Sequence, residues 1–275
     1  MALVDTVSRL VAASGLARLA RPAGPLVVMY HGIGGGDGLA LAAFEAQLDL
    51  LAATRRVVPL GEAVALLGRP EAHTVASITF DDGYRDFAEL AVPALRARGL
   101  HATVFVPAGH LGGWNRWDEG RAERREILDE AGLCSLDSAS VEIGAHGHSH
   151  VRLRDLSPSA LARETAQARE RLEQIGGRPV RLFAFPYGLW DDFDPAAERA
   201  VAVAGFDAAC STHFGRGSRP SERYRLRRVG VAPHESLGDF ARKLAGAYDW
   251  TAWKEDLGLL RRRLGSRAGG APLPR

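Results

Sequence analysis

The sequence is short of lysine, cysteine and uninterrupted apolar runs, and each shortage removes a class of protein. Only Lys243 and Lys254 are lysines; the remaining basic residues are arginines, an Arg and Ala bias that reads as codon composition and not as a phosphate-binding signature. The 35 basic residues are balanced by 33 acidic ones, for a net charge of +2, which argues against an electrostatically driven nucleic-acid binder. The two cysteines, Cys134 and Cys210, form no C-x-x-C pair and no metal spacing. They are expected to be buried, unpaired thiols, with a disulfide left open. No apolar run approaches the roughly 18 residues of a membrane-spanning helix. Residues 1–24 lack the order of a secretory signal, because Asp5, Arg9, Arg18 and Arg21 interrupt their apolar positions. The expected location is cytoplasmic. This amphipathic segment is expected to lie on the domain's own flank, with peripheral contact at the inner face of a membrane as the alternative.

What is present is a core-forming chain. At 275 residues and 46% hydrophobic content, it can bury one large domain or two small ones. Val-, Ile- and Phe-rich runs at 25–31, 75–80, 102–107, 141–145, 181–186, 207–211 and 224–231 predict strands. Helical periodicity predicts helices near 41–53, 84–98, 121–132, 157–175, 194–204 and 236–246. Ser157-Pro158 is a helix start and Gly176-Gly177 a helix stop. This alternation predicts an α/β fold with a parallel sheet, either a barrel or a wound sheet, whose function collects at the carboxyl ends of the strands. The domain is expected over 25–246. Residues 247–275 follow as an amphipathic helix and a Gly- and Pro-rich disordered tail. No element of the sequence specifies an oligomeric state.

Polar residues do collect at those strand ends. In "SITFDDGYRD", Asp81 and Asp82 leave an apolar strand side by side, a costly pair unless a cation or a shared proton relieves it. A helix-capping role is the plainer reading of that motif alone. In "EIGAHGHSHVRL", His146 and His150 would lie ~13 Å apart in an extended strand. If the chain turns at Gly147 they come onto one side, with His148 directed roughly away. Their pattern then suits a ligand pair, against the alternative of a solvated His-rich loop. "FAFPYG" ends a strand at Pro186 and Tyr187, where a glycine turn can free the Tyr187 N–H to act as an oxyanion donor. "VVMYHGIGGG" places His31 at another strand end, and neither glycine-rich nucleotide motif accompanies it. Beside a carboxylate pair and a histidine pair, His31 becomes an acid–base candidate. Trp114, Trp117 and Trp190 offer faces to sugar rings or cap the barrel.

The order "TFDDG", then H-x-x-x-H, then "FPYG" resembles the polysaccharide deacetylases, carbohydrate esterase family 4, also called the NodB-homology domain. The resemblance runs from about residue 25 to about residue 235. The early "MYHG" is similar to the permuted branch that contains bacterial poly-N-acetylglucosamine deacetylases. This resemblance implies a distorted (β/α)7 barrel in a single domain. It also implies a hydrolase of linear amide carbon–nitrogen bonds that removes N-acetyl groups from an amino-sugar glycan.

Asp82, His146 and His150 match the family's metal triad, for zinc or else cobalt or nickel. Asp81 matches the base, Tyr187 the oxyanion donor and His31 the general acid, with His234 in reserve. Trp114, Trp117, Pro186 and Trp190 are the candidate substrate contacts. One departure stands out. The third motif's arginine is replaced by Phe185, with Arg181 earlier in the strand, so the charge that orients the base is missing or comes from elsewhere. The substrate is expected to be an acetylated glycan or a lipid-linked sugar. The alternatives are a deformylase, ester or ureide hydrolase on the same fold, and a carbohydrate-binding homologue without turnover.

Overall fold

A computed structural model describes residues 2–14 and 22–252 of the chain. Seven parallel strands close into a barrel: β1 (Leu26–Tyr30), β3 (Val75–Phe80), β4 (Ala102–Val106), β5 (Val141–Ala145), β6 (Leu182–Ala184), β7 (Ala208–Phe214) and β8 (Leu226–Gly230). Closure is made by β1 lying against β3, from Leu26 opposite Ala76 to Tyr30 opposite Phe80, with β8 on the other side of β1. A two-residue strand that periodicity does not reveal, β2 (Arg56–Val57), pairs with the start of β3.

Helices cover the outside: α2 (Leu41–Thr54), α3 (Leu60–Ala65), α4 (Val92–Arg96), α5 (Glu130–Ser135), α6 (Pro158–Ala162), α7 (Ala168–Gly176), α8 (Pro195–Val203) and α9 (Leu237–Leu244). A π-turn, Arg163–Gln167, makes α6 and α7 one continuous helix. Ser157 caps that helix through Ala160 N–H, and Gly177 ends it in the left-handed region, as the sequence predicts. The N-terminal helix α1 (Ala2–Ser14) touches α9, and Trp250 Nε1 donates to Ser8 Oγ at 3.2 Å. No described helix is long and apolar enough to cross a membrane. The expected C-terminal tail lies largely outside the described residues.

Strand alternation divides the core into two layers. Leu26, Val28, Ile78, Phe80, Phe183 and Val229 join the large cluster beneath the helices. Val27, Val75, Leu182, Ala208, Cys210 and Leu226 form a second cluster, which α3 joins through Leu60, Ala63 and Val64. Continuing up the second face, side chains turn polar: Ser77 and Thr79 on β3, then Asp81, and Arg228 two residues beyond Leu226 on β8, all buried. A charged layer therefore sits on an apolar one inside the barrel, just below the carboxyl ends of the strands.

Two expectations are corrected. Residues 121–129 are not helical, and only Glu130–Ser135 is. Tertiary pairing overrides their helical period: Ile127 bridges Tyr84, Glu126 bridges Trp114, and Arg125 is drawn into a partly buried ion network. Cys134 is exposed on α5, with its thiol donating to Ile175 O of α7 at 3.0 Å; Cys210 is buried, and both are free.

Candidate metal and catalytic site

The carboxyl ends of the strands enclose a cavity of about 120 Å³, lined by His31, Asp81, Asp82, Trp117, Asp118, His146, His150, Tyr187 and Thr212. Asp82, His146 and His150 are all buried, and one ligand atom from each lies within 4.8 Å of the others. Asp82 Oδ1 is 3.5 Å from His146 Nε2 and 3.2 Å from His150 Nε2. His146 Nδ1 is held by Ala184 O at 2.8 Å, which fixes the tautomer and leaves Nε2 to face the cluster. Two imidazoles and one carboxylate on this spacing form a donor set suited to a divalent ion. Trp117 stacks on His150 with ring centroids 3.9 Å apart, and Tyr187 meets the same ring edge-on at 5.0 Å.

The backbone bends to make this cluster. Asp82, His150 and Tyr187 adopt positive φ values of 69°, 50° and 61°, a region that disfavours side chains. Such strain persists only where surrounding bonds over-determine it. For the histidine segment part of that bonding comes from Glu164, a buried residue of the π-turn whose Oε2 accepts from both His148 N and Ser149 N at 2.8 Å. His148 backbone O in turn accepts from Gly109 N at 2.7 Å, and the His148 ring does not line the cavity.

The neighbouring carboxylates live in different surroundings. Asp81 lies in a two-pronged ion pair with Arg228, with Nη1 to Oδ1 and Nη2 to Oδ2 both at 2.7 Å. Burial pushes the Asp81 carboxyl up, but the charges of Arg228 and then His146 outweigh it and hold the pKa below the ordinary value. Arg228 is itself anchored by Ser211 O at 2.7 Å and Thr79 Oγ1 at 3.3 Å. The charge absent from the third motif thus arrives from the last strand. Phe185 instead faces the outer core and stacks on Phe193, with centroids 4.1 Å apart and planes 5° apart. Arg181 sits on the surface near Asp207, 3.7 Å away.

Asp82 is opposed by burial too, yet bonds from His146 and His150 hold it well below the carboxylate range. Burial lowers the His150 pKa; for His146 the same penalty is overcome by Asp82 and Asp81, and its pKa is raised. The Tyr84 hydroxyl also hydrogen-bonds Asp82, and burial followed by that carboxylate pushes its pKa up.

Other predicted residues are placed as follows. His31 is exposed at the cavity rim, whereas His234 is exposed and lies off the cavity. The Tyr187 N–H makes no hydrogen bond among the described residues, while its carbonyl accepts from Thr212 Oγ1 at 2.8 Å. Trp114, Pro186 and Trp190 do not line the cavity. Arg116 and Arg124 lie over the Trp114 ring, and Trp190 stacks on buried His213 at 3.6 Å.

Five residues around the site escape sequence reasoning: Arg228, Tyr84, Glu164, Asp118 and Thr212. Arg228 has a faint signal, since it shares a strand face with Leu226. Val229 supports the opposite phase equally well, so the pattern alone is ambiguous.

A family profile described as polysaccharide deacetylase matches residues 68–207, about half of the chain. The chain belongs to the polysaccharide deacetylase family. YxkH of Bacillus subtilis (strain 168) shares 25% identity over 233 residues, covering 83% of this chain and 77% of YxkH. Among solved structures, the Streptococcus pyogenes deacetylase PplD superposes with a TM-score of 0.69 at 20% identity, covering 81% of this chain and 99% of PplD. IcaB from Ammonifex degensii gives 0.67 at 23% identity, covering 83% and 98%. At such identities these two likenesses carry the fold, and this deacetylase-family chain shares their closed barrel.

Proposed function

We propose that the chain is a metal-dependent hydrolase that removes N-acetyl groups from an acetylated amino-sugar glycan. The observation that carries this reading is the pairing of a buried Asp82–His146–His150 cluster with a separate carboxylate, Asp81, that Arg228 keeps ionised. A site built only for binding has no use for the second carboxylate.

Asp82, His146 and His150 would hold the ion, zinc or else cobalt or nickel, which when bound acidifies water and polarises the amide carbonyl. Asp81, fixed by both prongs of Arg228, accepts the proton of the attacking water as its oxygen bonds to the acetyl carbon. The unpaired Tyr187 N–H donates to the developing oxyanion from a backbone that is already bent, so it need not reorganise. As the carbon–nitrogen bond breaks, His31 delivers a proton to the departing sugar amine, and acetate remains. His31 is suited to that step by its place at the rim, where an amine leaves toward solvent.

The test is acetate release from N-acetylglucosamine oligomers by protein stripped with a chelator and reloaded with zinc, cobalt or nickel. Release should vanish on stripping and return with at least one ion. Equal release by stripped and reloaded protein, or none with any ion, would count against the reading. Formylated and O-acetylated sugars run alongside distinguish the acyl group.

A further inference from the structure

Asp118 is the one carboxylate lining the cavity that is committed to nothing else. Asp81 is taken up by Arg228, and Asp82 by the two histidines and Tyr84. The Asp118 side chain makes no hydrogen bond or ion pair among the described residues, and it lines the cavity together with Asp82, His150 and His31.

Its position is built and not incidental. It closes a short 3-10 turn, Arg116–Asp118, next to Trp117, whose ring is wedged between His150 at 3.9 Å and His110 at 5.1 Å. Buried Asn115 staples the loop from within, with Nδ2 donating to Glu123 O at 3.0 Å and Oδ1 accepting from Arg125 N at 2.8 Å. Arg125 then ties the loop to the segment that follows His31, bonding Asp37 Oδ1 at 2.7 Å, Gly34 O at 2.8 Å and Asp86 Oδ2 at 2.6 Å. Even the contact with Gly32 is close: a Cβ there would lie 2.5 Å from Arg125 Nη1. The loop is thus pinned by bonds to both of its flanks. A carboxylate so placed, with free acceptor oxygens beside a half-buried indole, has the chemistry that receives neighbouring sugar hydroxyls.

We propose that Asp118 is a specificity-determining residue that accepts hydrogen bonds from ring hydroxyls of the sugar bearing the acetamide. It thereby directs the site to acetylated sugars over acetyl compounds that lack a sugar ring. This rests on the deacetylase reading above. A polar site that exists to pair a substrate hydroxyl discriminates strongly against analogues without one.

The experiment compares zinc-loaded full-length wild type, Asp118→Ala and Asp118→Asn on an N-acetylglucosamine oligomer and on 4-nitrophenyl acetate. Zinc affinity is measured by competition with a chromophoric chelator. Asp118→Ala should lose about 10- to 100-fold in kcat/KM on the oligomer, mostly through KM. Its rate on 4-nitrophenyl acetate and its zinc affinity should stay within about 2-fold, and Asp118→Asn, which keeps one acceptor, should fall between. Equal losses on both substrates, or no loss on the oligomer, would overturn the proposal. If wild type releases no acetate from the oligomer, the deacetylase reading fails first. Oligomer binding, followed by tryptophan fluorescence, then decides the role of Asp118: it must weaken at least 10-fold in Asp118→Ala, and absent or unchanged binding overturns it.

Discussion

The floor and the rim of the cavity are held by opposite means. At the floor, Asp81 and Arg228 meet inside the barrel from β3 and β8, both fully buried, on strands whose register is fixed by backbone pairing. At the rim, Trp117 and Asp118 ride on an irregular loop, and His31 leads from the end of β1 into another. There Arg125 does the aligning, through Asp37, Asp86 and Gly34. The floor can stabilise an ionised base because the two-pronged pairing with Arg228 outweighs the cost of burial. The rim elements are joined by side-chain bonds, those of Arg125 and Glu123 among them, and not by a sheet. The proposed base thus lies below the groups proposed to read the substrate, whereas His31, the proposed acid, shares their rim.

Three substitutions test that division, in order of effect. Asp81→Asn should lower turnover about 10²- to 10⁴-fold, as expected for loss of a general base. Its metal affinity, measured by chelator competition, should be nearly unchanged, because Asp82 and not Asp81 belongs to the candidate ligand cluster. Comparable turnover would remove Asp81 from the mechanism.

Arg228→Met should cost about 3–5 kcal/mol of stability in denaturant titrations, since it strands a buried carboxylate. It should also move the acid limb of the pH–rate profile. The folded pKa of Asp81 is depressed, so its stabilising contribution is present above the unfolded carboxylate value and is lost as pH falls through the folded value. Without the guanidinium the folded pKa rises, and both stability and activity should be lost at higher pH than in wild type. An unmoved acid limb would separate Arg228 from the base.

Arg125→Gln should act on the rim alone. The expected loss is about 1–3 kcal/mol of stability and a raised KM for sugar oligomers, with metal affinity and the acid limb as in wild type. A change in metal affinity would mean that floor and rim are one mechanical unit.

Most of the barrel is legible in the sequence because its strands are buried on both faces. Runs such as "LVVMY" and "ATVFV" therefore stand out as largely apolar segments ended by polar or turn-forming residues. The Asp82–His146–His150 cluster is legible for a related reason. Its residues sit at or just beyond strand ends, where local motifs carry both the residue type and the turn. Arg228 is hidden, because its function depends on a partner 147 residues away and its own strand mixes two arginines with two apolar phases. Residues 121–129 mislead for the same physical reason. Their helical spacing is real, but bonds from Arg125 and pairing with Tyr84 and Trp114 outweigh a local preference. Asp118 carries no pattern at all, since a lone carboxylate in a loop acquires meaning only from the cavity it faces.

The Arg228–Asp81 pair also has a consequence for how the protein comes into being. A chain synthesised as far as His150 already holds all three groups of the metal cluster, yet Asp81 still lacks its guanidinium. Only when the final strand slides in between its two neighbours does that carboxylate gain the partner that allows it to remain charged out of water. On the proposed mechanism, such an unfinished chain carries the candidate ligands but no base able to stay ionised until the ring closes. An incomplete copy would, on that reading, lack turnover.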